Sequence, residues 1–311
     1  MAPPKSSALS ELSSQLAGAV EQAGKSIVAI HGRRRIPSSG IVWRDGVIVS
    51  ASHTVNRDDD IKVSLSTGDT ATATVVGRDA ATDLVALRIS AKAQVAERTD
   101  ANALRVGSLV LAVGRPGKNV TASFGIVSAV GEGWRTWQGA RIDRVARLDL
   151  AVYDGFSGGA LVDTAGAVLG VNNSVLARGI PMALPAAAVD RVINELLERG
   201  HVRRPFIGVA VQPVALPPAF IKKQQLTQES ALLLTSVAES SPAEGAGLFV
   251  GDALLAADGQ PLRRPTDLLD ALAGVPAGAN VKLDLLRGGA IKTVTVTPAD
   301  RATGSDREVR E

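Results

Sequence analysis

The stretch Val47-Ile48-Val49-Ser50-Ala51-Ser52-His53 is a short β-branched run that passes through small residues to a histidine. Runs of the same kind, rich in Val and Ile and separated by Gly, Asp or Pro, recur on both sides of it from about residue 26 to residue 175. They are Ile27–Ile30, Gly40–Val42, Val47–Val49, Ile61–Leu65, Ala73–Val76, Leu84–Ile89, Leu109–Val113 and Phe124–Val130. Many short strands at close spacing, with no long helix between them, predict an antiparallel barrel or sandwich and exclude a parallel α/β sheet.

Two amphipathic helices are predicted to flank this β-rich region. Residues 8–23 carry an apolar stripe and precede a glycine, and residues 185–200 begin at a proline, carry a second stripe and end at a glycine. The stripes are Leu9, Leu12, Leu16 and Val20 in the first helix, and Val189, Val192, Ile193, Leu196 and Leu197 in the second. After the second helix, Arg203-Arg204-Pro205 predicts a domain boundary.

The remainder of the chain is predicted to form a smaller module and a tail. Residues 206–298 alternate strands with two short helical stretches near 242–247 and 265–273, which is typical of a small α+β domain. Residues 299–311 are mostly polar and charged, and we expect them to be disordered. The predicted segments are therefore an N-terminal helical segment (1–25), a β-rich domain with its linker helix (26–200), the α+β module (203–298) and the tail (299–311).

Composition and charge exclude several classes of protein. A chain of 311 residues is too long for one compact core, and without cysteine it has no disulfides, thiol nucleophiles or thiolate metal sites. The three histidines, His31, His53 and His201, share no metal-binding spacing, so we predict no metal ion and no cofactor. A net charge of +3 with interspersed signs does not indicate a nucleic-acid partner.

The sequence also bears on location. No apolar run approaches the roughly 18 residues needed to span a bilayer, and the N-terminal residues lack the hydrophobic region of a signal peptide. As written, the sequence predicts a cytoplasmic protein without a membrane span. If the N-terminus has been trimmed, the expectation is an extracytoplasmic or periplasmic location.

The sharpest local signal for chemistry is Gly155-Phe156-Ser157-Gly158-Gly159. A serine between glycines suits a tight turn in which backbone N–H groups converge on one point, as an acyl-transfer enzyme needs for its tetrahedral intermediate. An ordinary glycine-rich turn is an equally good interpretation of this motif by itself. A serine nucleophile also requires a base, most often histidine.

Candidate partners for Ser157 lie in the same β-rich region. His53 follows a strand and is placed to present its imidazole at a barrel edge, whereas His31 and His201 are typical of surface or linker positions. The third member must accept a hydrogen bond from the imidazole and hold its tautomer. Asp83, which leads directly into a strand, is favoured for this role. The alternatives are Asp79 and the three consecutive acids Asp58, Asp59 and Asp60.

The order His53, Asp83, Ser157, with spacings of 30 and 74 residues, resembles that of the HtrA/Deg branch of the chymotrypsin-like serine proteases. Further motifs share the resemblance: Ser38-Ser39-Gly40, Asp45-Gly46, Ser52-His53-Thr54-Val55, Val113-Gly114-Arg115-Pro116-Gly117, Ser123-Phe124-Gly125-Ile126-Val127-Ser128, Asp149 and Leu169-Gly170-Val171-Asn172. In the C-terminal module, Phe206-Ile207-Gly208-Val209, Ser241-Pro242-Ala243, Ala246-Gly247-Leu248 and Gly251-Asp252 resemble a bacterial, permuted PDZ domain. The resemblance covers nearly the whole chain outside the tail.

The resemblance implies a mainly β fold, with a chymotrypsin-like double β-barrel followed by a small α+β PDZ domain. It implies a serine endopeptidase in which Ser157 attacks, His53 transfers the proton and Asp83 orients the imidazole. The backbone N–H groups of Gly155 and Ser157 would form the oxyanion hole. The specificity pocket would be lined by Val171, Asn172, Asn173 and Ser174. Since none of these is charged, we expect a preference for small or medium apolar side chains.

The resemblance also implies partners. The loop Phe206, Ile207, Gly208 and Val209 would bind the carboxylate of a protein C-terminus, and the following strand would pair with that peptide. The substrates would be unfolded or damaged proteins, as in protein quality control. A homotrimer through the N-terminal helix and first strand is expected, without nucleic acid.

The chain departs from the family pattern at the serine turn, where Asp154-Gly155-Phe156 replaces the usual Pro-Gly-Asn. Residues 131–140, with Trp134 and Trp137, occupy the place of the family's activation loop. Two alternatives to a simple protease stay open. One is a catalytically weak scaffold whose PDZ domain binds C-termini, and the other is a combined protease and holdase chaperone.

Overall fold

A computed structural model describes residues 7–33, 35–99, 104–135, 141–176, 181–276 and 278–300. The chain divides into two units, Met1–Val202 and Arg203–Glu311. Most of the predicted tail, and residues 136–140 of the stretch assigned to the activation loop, lie outside the described residues. None of the helices in the described ranges is long and apolar enough to cross a membrane.

The first unit contains a closed antiparallel barrel with strand order β1-β2-β3-β6-β5-β4. Its strands are β1 (Ile27–Ile30), β2 (Ser38–Arg44), β3 (Val47–Ala51), β4 (Ile61–Ser64), β5 (Thr70–Asp79) and β6 (Leu84–Ile89). Side chains at alternate positions, such as Val85, Leu87 and Ile89, fill its interior. The intervening Leu84 and Ala86 join a second apolar cluster outside the barrel, which explains why this strand is apolar at nearly every position.

A second closed barrel in the same unit has strand order β10-β11-β12-β9-β8-β7. Its strands are β7 (Leu109–Gly114), β8 (Thr121–Arg135), β9 (Arg141–Asp149), β10 (Ala160–Val162), β11 (Val168–Asn173) and β12 (Met182–Pro185). Val110, Val127, Leu148 and Leu161 belong to its core. The two barrels confirm the predicted double-barrel class. Strands β9, β10, β11 and β12 are not among the strands predicted from the sequence.

Two helices pack on the first unit. Helix α1 (Ala8–Gly24) is capped by the Ser7 hydroxyl, and helix α2 (Ala186–Arg199) ends at Gly200. The stripe of α2, including Val189 and Ile193, is buried in the cluster shared with the barrels. The stripe of α1 divides: Leu16 and Val20 pack on that cluster, whereas Leu9 is 77% exposed.

The second unit is a small α+β domain with sheet order β14-β15-β16-β18-β19, β17 pairing with β16, and a separate pair β13-β20. Its strands are β13 (Pro205–Phe206), β14 (Val209–Ala215), β15 (Ser230–Val237), β16 (Ala253–Ala257), β17 (Gln260–Pro261), β18 (Val281–Arg287), β19 (Ala290–Val296) and β20 (Ala299–Asp300). The helices are α3 (Pro218–Gln224), α4 (Pro242–Gly245) and α5 (Pro265–Ala273). The last of these coincides with the predicted stretch 265–273.

Two local features of the second unit differ from the sequence expectations. The predicted strand over 207–211 is interrupted, since Ile207 and Gly208 lie between β13 and β14. Ala299 and Asp300, assigned to the tail, instead pair with Phe206 and Pro205. The neighbouring Arg203 guanidinium lies 3.5 Å from the Asp300 carboxylate, and the Arg204 N–H donates to it at 3.0 Å. These contacts anchor the end of the domain to its beginning.

Candidate active site

His53 lies in a 3₁₀ turn, Ser52–Thr54, directly after β3, so its imidazole stands at the rim of the first barrel. Its backbone N–H donates to Asp83 Oδ1 at 2.8 Å, and its Nδ1 lies 2.5 Å from Asp83 Oδ2. A carboxylate can only accept, so this contact assigns the proton to Nδ1. Nε2 is then the basic nitrogen, as a general base requires.

Asp83 is held in place by its neighbours at the start of β6. Its φ of +54° lies in the left-handed region. The Ser52 N–H donates to its carbonyl at 2.8 Å. Asn173 Nδ2, from the end of β11 in the second barrel, donates to its Oδ2 at 2.7 Å. The carboxylate is thus positioned by groups from both barrels.

The other acids weighed in the sequence have different surroundings. Buried Asp79 accepts hydrogen bonds from Thr82 Oγ1 at 2.6 Å and from the Thr82 N–H at 3.2 Å, which stabilises the turn leading to Asp83. Asp58 pairs with Arg78 at 2.9 Å on the surface, and Asp59 and Asp60 are also exposed. Among these candidates, the structure brings only Asp83 to His53 within the described ranges.

Ser157 lies in a turn that requires glycine at positions 155 and 158. Gly155 and Gly158 have φ of +86° and +85°. A Cβ on Gly158 would lie 2.3 Å from the Ser39 carbonyl oxygen, and one on Gly155 would lie 2.6 Å from Pro116 Cβ. A side chain at either position would therefore combine backbone strain with a steric clash.

Hydrogen bonds from both barrels fix this turn. Buried Ser39 Oγ on β2 donates to the Gly155 carbonyl at 2.6 Å and accepts from the Arg115 backbone N–H at 2.8 Å. On the other side, the Gly158 N–H donates to the Asn172 carbonyl at 2.9 Å, and the Asn172 N–H donates to the Gly159 carbonyl at 2.8 Å. In the sequence, Ser39 belongs to the motif Ser38-Ser39-Gly40, and no local pattern predicts a separate role for it.

The turn leaves backbone donors available. Across the described part of the chain, the N–H groups of Gly155 and Ser157 make no hydrogen bond to protein. Both belong to the tight glycine-flanked turn, and two such donors beside a serine can stabilise a developing oxyanion.

Ser157 itself is only 6% exposed. Its Oγ lies 3.0 Å from the Ser174 Oγ, in a hydrogen bond in which either hydroxyl can donate. Among the described residues, Ser157 makes no hydrogen bond to His53. Catalytic hydrogen bonds often form only in the complex with substrate. The His53–Asp83 contact is therefore formed, whereas the Ser157 hydroxyl is engaged by Ser174.

The four residues expected to line the specificity pocket differ in orientation. Val171 belongs to the apolar core, Asn172 donates from Nδ2 to the Ala160 carbonyl at 2.7 Å, and Asn173 faces Asp83. All three are buried, and only Ser174 is partly exposed. The first three are completely buried, so of these four residues only Ser174 can present its side chain to a ligand.

Phe156, the departure from the family pattern, is completely buried. Its ring packs edge-to-face on Tyr153 with centroids 5.4 Å apart. Its N–H donates to the Tyr153 carbonyl at 3.0 Å, and its carbonyl accepts from Gly159 N–H at 2.8 Å. The aromatic side chain therefore contributes to the packing of the turn, and the backbone of Phe156 contributes to its shape.

In the second unit, the predicted peptide-binding loop runs from Phe206 to Val209 and leads into β14. The loop is fixed by hydrogen bonds from Ala243 N–H to the Ile207 carbonyl and from Ala238 N–H to the Gly208 carbonyl, both at 2.8 Å. Strand β14 lies at the edge of its sheet. An edge strand has one row of unpaired backbone groups, to which an extended peptide can add.

Comparisons with known proteins agree with this architecture. Residues 38–171 match the trypsin-like peptidase domain, and residues 205–297 match the PDZ domain. The probable periplasmic serine endoprotease DegP-like of Brucella suis is 33% identical over 279 residues, covering 86% of this chain and 53% of that protein. A protein of the same description from Pseudomonas savastanoi pv. phaseolicola is 33% identical over 267 residues, covering 84% and 55%. The chain thus spans about half the length of the curated relatives it matches.

Solved structures extend the likeness over nearly the whole chain. The HtrA-type protease AlgW with decapeptide superimposes with a TM-score of 0.76 at 26% identity, covering 92% of this chain and 99% of that one. The serine endoprotease from Yersinia pestis gives 0.75 at 28% identity, covering 92% and 98%.

Fold and site together define a trypsin-like peptidase domain followed by a PDZ domain. The chain is homologous to the DegP/HtrA serine endoproteases, which confirms the resemblance seen in the sequence motifs. The relatives named above are described as periplasmic. The cytoplasmic location expected from the N-terminal residues gains no support from them.

Proposed function

We propose that this protein is a serine endopeptidase in which Ser157 is the nucleophile, His53 the general base and Asp83 the group that orients the imidazole. The observation that carries the proposal is the His53–Asp83 pair. Its 2.5 Å contact leaves Nε2 basic, and it stands beside a glycine-flanked serine turn with two available N–H donors. Homology to serine endoproteases supports the same assignment.

In the proposed reaction, the Ser157 hydroxyl attacks a peptide carbonyl and His53 Nε2 takes its proton. Asp83 stabilises the resulting imidazolium, and the N–H groups of Gly155 and Ser157 bind the oxyanion. His53 then returns the proton to the leaving amine. Water repeats the sequence on the acyl-enzyme and releases the second product.

The proposed substrates are unfolded or damaged protein chains, because a peptide must be extended to enter a site built at the rim of two barrels. Uncharged surroundings near residues 171–174 favour small or medium apolar side chains. The loop from Phe206 to Val209 and the free edge of β14 would hold a protein C-terminus. A periplasmic location is proposed on the basis of the relatives' descriptions. A role in protein quality control is proposed because the proposed substrates are unfolded or damaged chains.

We also propose a homotrimer assembled through the N-terminal helix. The exposed Leu9 and the partly exposed Leu12 continue the apolar stripe of α1 beyond the part that packs on its own barrel. An apolar stripe left at the surface favours an interface with another copy.

Covalent labelling by a fluorophosphonate tests the proposed nucleophile without knowledge of the substrate. The wild-type protein should be labelled at Ser157 and should cleave unfolded casein. Ser157→Ala should remain folded, show no labelling and lose casein cleavage by a factor on the order of a million. His53→Ala should lose labelling although it retains the serine.

The scaffold alternative predicts that the wild-type protein binds C-terminal peptides but is not labelled. The protease–chaperone alternative predicts that Ser157→Ala still suppresses aggregation of an unfolded protein. These two outcomes are separable because one concerns the reactivity of Ser157 and the other concerns binding by an inactive variant.

A further inference from the structure

The hydroxyl of Ser157 is engaged by a residue that the proposed reaction does not use. Ser174 Oγ lies 3.0 Å from Ser157 Oγ, and no hydrogen bond joins Ser157 to His53 in the described ranges. Attack requires the Ser157 proton to be directed at His53 Nε2. The Ser174 contact therefore competes with the contact that activates the nucleophile.

Both directions of this hydrogen bond restrain the nucleophile. If Ser157 donates to Ser174, its proton points away from His53. If Ser174 donates to Ser157, it occupies one of the two lone pairs of Ser157 Oγ and makes that oxygen a weaker nucleophile. In the first case the Ser157 hydroxyl must leave Ser174 before the reaction begins, and in the second case its oxygen gains reactivity when the contact breaks.

Ser174 is held in position by the residue before it. Asn173 is completely buried and donates from Nδ2 to Asp83 Oδ2 at 2.7 Å. Its Oδ1 accepts from the N–H groups of Val175 and Leu176 at 2.8 and 3.0 Å. The chain around Ser174 is thus tied to the same carboxylate that orients His53, so Ser174 is not a freely moving surface serine.

Resting on the proposed function, we propose that Ser174 is a positioning residue that holds Ser157 in a resting arrangement. Activation exchanges one hydrogen bond for another: the Ser157–Ser174 contact breaks, and the Ser157 O–H then donates to His53 Nε2. No atom is transferred in this exchange. Ser174 is also the partly exposed member of the predicted specificity pocket, so a substrate side chain entering there meets the Ser174 hydroxyl directly.

Removal of the Ser174 hydroxyl should increase the reactivity of Ser157. One hydrogen bond contributes a net stabilisation that corresponds to about twofold to tenfold in an equilibrium, and releasing it should raise the rate by that factor. The effect should fall on kcat for a small ester substrate and on the labelling rate by a small fluorophosphonate. KM should change less, because the restraint acts on the nucleophile.

The experiment compares Ser174→Ala, Ser174→Val and Ser174→Thr in the full chain. Val and Thr are nearly equal in shape, and only Thr retains a hydroxyl. We expect Ala and Val to react about twofold to tenfold faster than wild type, and Thr to react more slowly than Val by a similar factor. Thermal unfolding of each variant reports whether the loop has been damaged.

Several results would overturn the inference. Equal rates for Thr and Val would show that the hydroxyl does not restrain Ser157, and slower rates for Ala and Val would show that Ser174 assists the reaction. Wild-type labelling that is lost in Ser157→Ala keeps the proposed function intact in both cases. If neither wild type nor the Ser174 variants is labelled, the proposed function fails and the inference fails with it.

Discussion

Substitution of Ser39 by alanine should lower both the stability of the first unit and the rate of the proposed hydrolysis. Ser39 Oγ joins the Gly155 carbonyl at 2.6 Å to the Arg115 N–H at 2.8 Å, in a region closed to solvent. Without it, one buried carbonyl and one buried N–H lose their partner, at about 1–3 kcal/mol each. Since the turn can relax, we expect Ser39→Ala to lower the free energy of unfolding by about 3 kcal/mol.

The same change should loosen the turn that presents the Gly155 N–H. Complete loss of an oxyanion donor costs about a hundredfold to a thousandfold in kcat. Because Ser39→Ala leaves the donor present but less firmly held, we expect kcat to fall by about tenfold to a hundredfold, with a smaller change in KM.

Ser38 provides the matched control. It is the neighbouring residue and is equally buried, but its Oγ has no hydrogen-bond partner within the described structure. Ser38→Ala should therefore leave kcat unchanged and should leave stability unchanged or raise it by up to about 1 kcal/mol.

Urea unfolding followed by tryptophan fluorescence measures the first unit selectively, because Trp43, Trp134 and Trp137 all precede residue 202. Hydrolysis of the ester substrate, measured at urea concentrations below the midpoint of unfolding, gives kcat. Equal losses in Ser38→Ala and Ser39→Ala would refute the hydrogen-bond argument. A destabilised Ser39→Ala with unchanged kcat would refute the link to Gly155.

Three further predictions follow from other contacts. Asp83→Asn should stay folded and lose about four orders of magnitude in kcat through the wrong imidazole tautomer; retained hydrolysis would point to Asp58, Asp59 or Asp60 instead. Leu9→Ser should shift the proposed trimer towards monomer in light scattering while leaving the buried half of α1 in place, and an unchanged trimer would contradict the interface. In the second unit, burial by itself raises the pKa of Asp252, but hydrogen bonds from Arg287 and the Phe249 N–H outweigh burial and lower the pKa below its ordinary value of 3.8. A carboxyl group whose pKa is lowered by folding adds stability at pH values above its unfolded-state pKa. This stability is lost as the pH falls through the folded-state pKa. Asp252→Asn should thus lower the free energy of unfolding by on the order of 3 kcal/mol at neutral pH. Hydrogen exchange over residues 209–296 should show that the difference in stability between variant and wild type shrinks below about pH 3.8. A difference that does not change with pH would exclude the charged pair as its cause.

Local sequence patterns were sufficient for much of the fold. β-branched runs such as Leu84–Ile89 and Ile27–Ile30 became strands with the predicted bounds, because alternate side chains are buried on both faces. The bounds of helix α2 also agree closely with those predicted from its apolar stripe and its terminal proline and glycine. Strands β10 and β12 were not predicted, since segments of three and four residues are held by pairing with strands that are distant in sequence, β7 and β9, rather than by local propensity.

The sequence by itself determined the chemical types at the site: a glycine-flanked serine, one histidine after a strand and several nearby acids. Tertiary structure alone decided which acid reaches His53, that Asn173 faces Asp83, and that Ser174 holds the Ser157 hydroxyl. It also decided that Ser39 Oγ has hydrogen-bond partners while Ser38 Oγ, beside it, has none among the residues that the structure describes. These choices depend on hydrogen bonds between residues 17 to 116 positions apart, which the closing of two barrels brings together and which no local pattern encodes.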